Sequence, residues 1–201
     1  MFVPDADMGC LRQGDILRNI PFPLVSFSEL QILGTFSGES VFTAASRTHR
    51  NDSSWLTGQV PVRMCSCTVI SQCCDLEPRH NKIRMPAFVV ARLQAIPESI
   101  RNNEAQLNSL RANKDPRTPG DPGFINLFHI ESHERLKGQE WVVDFNQMVS
   151  IPSAEFPAIL SKKTLQMNAP CRVKFKIKLA ASLARLTDEE RSMGLENPWA
   201  Q

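Results

Sequence analysis

The sequence predicts a mainly β fold with helices: a small barrel or strongly bent sheet, carrying one helical insertion and a C-terminal helix. Three observations lead there. About seven short apolar segments recur along the 201 residues, separated by Gly, Pro, Asn, Asp and Ser. A single longer segment near residues 97 to 113 opens with helix-start residues. The length suits one well-packed core, so residues 1–201 read as a single domain.

The elements follow in order. Gly14-Asp15-Ile16-Leu17-Arg18 is a strand entered from a glycine and closed by Pro21 and Pro23. Leu24 to Leu33 alternates loosely and reads as a second strand. Residues 34 to 58 form an irregular excursion, with Val41-Phe42 a brief strand. Val60 to Ser71 alternates with few charges and reads as a central strand. Cys73 to Pro78 ends it in a turn, and Ile83 to Ile96 is the next strand, with Arg92 its only later charge. Pro97-Glu98 starts a helix through about Asn113, within an insertion reaching about residue 122. Strands resume at Phe124 to Ile130, at Trp141 to Phe145 and at Met148 to Ile151. The segment from Pro170 to Leu186 reads as a helix capped by Asn168, although Arg172 to Leu179 alternates like a strand. Thr187-Asp188-Glu189-Glu190 has capping-box spacing and starts a short last helix to Gly194.

Composition narrows the function. Hydrophobic residues make up 42% and charged residues 22%, as in ordinary globular chains. No apolar run approaches the roughly 18 residues of a membrane span, and the N-terminus has no signal-peptide pattern, so the expected address is the cytoplasm, away from membrane. Net charge is +2, too small to demand a polyanionic partner by itself. Its distribution is uneven. Between Phe156 and Thr187 stand Lys162, Lys163, Arg172, Lys174, Lys176, Lys178 and Arg185, without one Asp or Glu. That concentration suits phosphate contacts by Arg172, Lys174, Lys176, Lys178 and Arg185; the alternative is a solvated or internally paired face. Glycines number nine, and no phosphate-cradling loop or dinucleotide fingerprint occurs, so no cofactor is expected.

Six cysteines read as reduced thiols: Cys10, Cys65, Cys67, Cys73, Cys74 and Cys171. Cys65 and Cys67 share one strand face, where core filling is the simplest role. Zinc is the competing use of the cluster with His80, but the spacing lacks paired knuckles, and no metal is expected. Cys74 and Asp75, at the end of the central strand, form the sharper hypothesis: a thiol near turn amides can act as a nucleophile if a base stands by. The bases available are His49, His80, His129 and His133. Asp75 as a turn cap is the simpler alternative.

Several segments resemble a known family. Gly14-Asp15-Ile16-Leu17, Cys67-Thr68-Val69-Ile70-Ser71, and Gln139 to Phe145 continuing through Val149-Ser150-Ile151 resemble, in order, segments of the MazF/PemK-type toxins, whose fold is a small SH3-like barrel. The step Ser71-Gln72-Cys73-Cys74-Asp75-Leu76 resembles small bacterial proteins of unassigned activity. The resemblance implies a nucleic-acid-directed component of a bacterial toxin–antitoxin or defence-type system, with RNA or single-stranded nucleic acid as partner and an endoribonuclease-like hydrolase as the enzyme class. Where that family places Arg-Pro, this chain has Cys65-Ser66, and where it places Thr or Ser, this chain has Leu93-Gln94. Cleavage then needs another cation, Arg79 or Arg63, beside Cys74 and Asp75. The alternatives are a non-catalytic module docking on a protein partner, a homodimer, and a zinc-stabilised domain.

Overall fold

The structure is a computed structural model; it describes residues 1–23, 31–32, 47–50, 53–56, 58–59, 62–76, 85–116 and 123–184. The chain divides into two compact units, one of residues 1–18 with 66–201 and one of residues 19–65.

In the first unit the chain enters its sheet through Gly14, at φ +89°. A Cβ there would meet Met167 Sδ at 2.8 Å, so both the backbone and the space require glycine. Strand β1 (Ile16–Pro23) follows and runs through both prolines, past the stop expected for it. Its partner on one side pairs only at Ile16 and Leu17, so the prolines interrupt no ladder there. The second unit contains two small hairpin-like pairs. One joins β2 (Gln31–Ile32) to β5 (Gly58–Gln59), and the other joins β3 (Arg47–Arg50) to β4 (Ser53–Leu56). Of the expected strand at 24–33 only β2 is described, and the expected strand at Val41-Phe42 lies outside the described residues.

The central strand is β6 (Val62–Val69), buried only from Cys65 onward. In place of the expected turn, Cys73–Leu76 forms one helical turn, α1. Next comes β7 (Ala87–Ala95). The insertion holds two short helices, α2 (Glu98–Arg101) and α3 (Glu104–Arg111), broken at Asn103, whose side chain caps the second by accepting from Gln106 N. β8 (Leu127–Ile130) and β9 (Trp141–Pro152) follow; β9 joins the two strands expected there into one. Two elements were not anticipated, helix α4 (Phe156–Leu160) and strand β10 (Lys163–Leu165). Helix α5 (Ala169–Leu183) settles the strand-or-helix question for the basic segment. Asn168 accepts from Cys171 N at 2.9 Å, Pro170 sits in the first turn, and Cys171, Phe175 and Leu179 recur every four residues as its buried stripe. The expected helix at 187–194 lies outside the described residues.

The sheet order is β10-β1-β6-β7-β9-β8, mainly β and antiparallel in every described pairing. It is open: β10 and β8 are its edges, and no described pair joins them into a barrel. On one face Phe175 of α5 packs edge-on against Phe128 at 5.1 Å and Phe145 at 5.4 Å, among Ile16, Leu93, Ile130 and Val143. On the other face Ile100 and Leu110 of the insertion pack with Leu127 and Val142. No described helix is long and apolar enough to cross a membrane.

The β8 edge is closed by a side chain. Asn113, in the left-handed region at φ +45°, donates Nδ2 to His129 O at 2.9 Å and accepts His129 N at 2.8 Å. Its carboxamide takes the place of a neighbouring peptide group and removes a pairing site from the edge. Asn113→Ala is expected to cost about 1–3 kcal/mol by urea unfolding, because both groups lose their partner. A loss within the scatter of exposed substitutions would show that the edge needs no cover.

Candidate functional site

The end of β6 is where sequence analysis placed catalytic chemistry. Gly14 N donates to Val69 O at 2.8 Å and Val69 N to Asp15 O at 2.9 Å, so the loop before β1 is fastened to the strand end. Gln13 Nε2 donates to Ile70 O at 2.6 Å, and Gln13 N meets Cys73 Sγ at 3.3 Å. Among the described side chains of α1, Cys73 is therefore the thiol brought to this loop. Cys74 and Asp75 lie on the backbone of α1, with their side chains outside the described residues, and Arg79 is outside them altogether. The other half of the loop holds Cys10, which donates to Asp7 Oδ2 at 3.0 Å and accepts from Arg12 Nε at 3.4 Å. Burial and the Asp7 contact raise the Cys10 pKa, which disfavours a ready thiolate.

Below the loop lies a buried ion pair that the sequence did not announce. Lys163 Nζ meets Asp15 Oδ2 at 2.7 Å, with the two side chains 0% and 1% exposed. The ammonium also donates to Asp7 O at 2.6 Å, Cys10 O at 2.9 Å and Gln166 Oε1 at 3.1 Å. Asp15 Oδ2 accepts from Arg12 N at 2.7 Å as well. Burial pushes the Asp15 carboxyl above its ordinary range, against the pull of Lys163. With every proton of Lys163 committed, the pair serves as a fastener for the loop.

Helix α5 separates its cations. Lys174 and Lys176 face solvent, and Arg172 is half-buried. Lys178 does not belong with them: it is 1% exposed, so the phosphate role expected of it is withdrawn. Its Nζ has no hydrogen-bond partner among the described residues, and burial lowers its pKa to about 8. Arg185 lies outside the described residues. Lys162, Arg172, Lys174 and Lys176 form no ion pair with any described residue.

A polar cluster stands on the opposite face of the sheet. β7 and β9 pair from Ala87↔Pro152 to Ala91↔Met148, and again from Leu93↔Val143 to Ala95↔Trp141. Between these stretches the single residue Arg92 faces residues 144–147, an irregular bulge of four residues against one. Asp144, 8% exposed, accepts Gln94 Nε2 at 3.0 Å, Gln147 Nε2 at 3.2 Å and Asn146 N at 2.9 Å. Gln147 Nε2 also reaches Gln94 Oε1 at 3.4 Å, and Arg92 Nη1 reaches Gln147 Oε1 at 3.5 Å. The sequence carried a signal here: Arg92 and Asp144 are charges inside otherwise apolar strands.

His129 has a structural setting. It is buried on β8, and its Nε2 lies 3.2 Å from Glu140 Oε1, which Arg111 holds through two further bonds at 2.9 and 2.7 Å. Burial lowers its pKa, so it is held neutral beside Glu140. Cys65 and Cys67 are both buried. Among the described residues no group of three or more His, Cys, Asp and Glu could hold a metal ion. No protein-family model matches the chain, and no curated protein matches it in sequence.

Proposed function

We propose that this chain is a nucleic-acid-directed, cytoplasmic component of a bacterial toxin–antitoxin or defence-type system, with a sheet derived from a MazF/PemK-like barrel. It holds RNA or another single strand by its phosphates along the solvent face of α5. One observation carries the reading: Lys174 and Lys176, both exposed on α5, form no ion pair with any described residue. A solvated face built for solubility alone usually mixes both signs; α5 carries no acid.

The test is binding of a labelled single-stranded RNA across a salt series, by the native chain and by Lys174→Glu/Lys176→Glu. Each lost phosphate contact lowers the slope of log affinity against log salt by about 0.7, so the double variant should lose about 1.4 and bind at least about tenfold more weakly. Cleavage of the same RNA, lost in Cys74→Ser, would add an endoribonuclease-like activity at the end of β6. Absence of binding at low salt would overturn the reading and turn the search to a protein partner or to a homodimer.

A further inference from the structure

The cluster at the β7–β9 bulge is short of acceptors. A guanidinium has five N–H donors and a carboxamide two. Arg92 uses one, at the 3.5 Å contact with Gln147 Oε1. Gln94 uses one of its two on Asp144, whereas Gln147 uses both. Asp144, the only carboxylate of the cluster, already accepts three N–H groups and forms no ion pair with Arg92. What is left over is therefore N–H donors, while the charges of Arg92 and Asp144 balance. Arg92 Nε is buried with no partner among the described residues, and the residue as a whole is half-buried. Arg92 and Gln94 are two apart on one strand, so they point to the same side, with side-chain roots about 7 Å apart.

We infer that Arg92 and Gln94 bind a phosphate group on the sheet face opposite α5. A planar fork plus a separate amide N–H suits an anion whose oxygens spread in three dimensions. Asp144 is a positioning residue: it aims the two glutamines and leaves Arg92 free. Its own negative charge is dispersed over the three N–H groups it accepts, which lessens repulsion of an anion. This inference does not rest on the role of α5, because the two sites lie on opposite faces.

The experiment uses the full chain and inorganic phosphate. The Arg92 guanidinium resonance is followed by NMR during titration, its assignment taken from Arg92→Gln. The expected result is a saturable shift at Arg92, with binding by calorimetry weakened about tenfold or more in Arg92→Gln. A short single-stranded RNA is then added. Displacement of phosphate identifies the natural source as a strand phosphate; simultaneous binding identifies a free phosphate compound. No saturable shift at Arg92 in the native chain, or equal phosphate affinity in Arg92→Gln, overturns the inference. If Arg92→Gln does not fold, Arg92→Lys, which keeps the charge and lacks the guanidinium, supplies the assignment, and the native-chain titration decides.

Discussion

Lys163→Met is expected to destabilise the protein by about 3–5 kcal/mol, the range for removing one member of a buried pair. The reason lies at Asp15. Its carboxylate is 1% exposed and would keep only the Arg12 N–H, while Asp7 O, Cys10 O and Gln166 Oε1 would lose their shared donor. Urea unfolding at pH 7 measures the loss. Asp15→Asn in the same chain should restore a substantial part, since a neutral amide costs less to bury than an orphaned charge. A loss below about 1 kcal/mol for the single variant, or no recovery in the double, would show that water or rearrangement already screens the pair.

Lys178→Met should act in the opposite direction. The folded-state pKa of Lys178 is about 8 against an ordinary 10.5, caused by burial. As pH falls from about 10.5 the unfolded chain takes up the proton first, and the folded chain follows only near 8. Stability is therefore lost across that window and stays lost at pH 7. At about 1.4 kcal/mol per pH step of one, the penalty is about 3 kcal/mol. Methionine fills a similar volume without charge, so the variant should gain about 2–3 kcal/mol at pH 7, and the gain should shrink as pH approaches 10.5. Equal stability of the two chains at pH 7 would mean that the ammonium finds solvent or an anion in solution.

Much of the framework was legible because it is local. The glycine at 14, the alternation of β6 and the Asn168 cap are written in neighbouring residues, and each forms what its pattern implies. What escaped depends on distant partners. β10 is three residues long and begins with a lysine, so it reads as surface; only Asp15 makes that lysine a core residue. β9 reads as two strands because the residues opposite Arg92 break the period of two. Lys178 shares a helical face with Lys174 by spacing, yet α5 lies so that one is buried and the other is not. The polar cluster was foreshadowed only by two charges set among apolar strand residues. Among the described side chains Cys73 reaches the loop before β1, while that of Cys74, the cysteine favoured from the sequence, lies outside them.

The place of β1 in the sheet has a consequence for synthesis. β1 lies between β10 and β6, and its tie to β10 spans 148 residues, from Ile16 to Thr164. At translation rates of about 5–20 residues per second, that partner leaves the ribosome about 7–30 seconds after β1 does. Through that interval Ile16 and Leu17, both fully buried in the finished protein, have one flank without its neighbour. The nascent chain thus carries a sticky, half-made sheet for most of its production, which makes this first strand a natural client segment for chaperones and the point where slow synthesis or truncation would lead to aggregation.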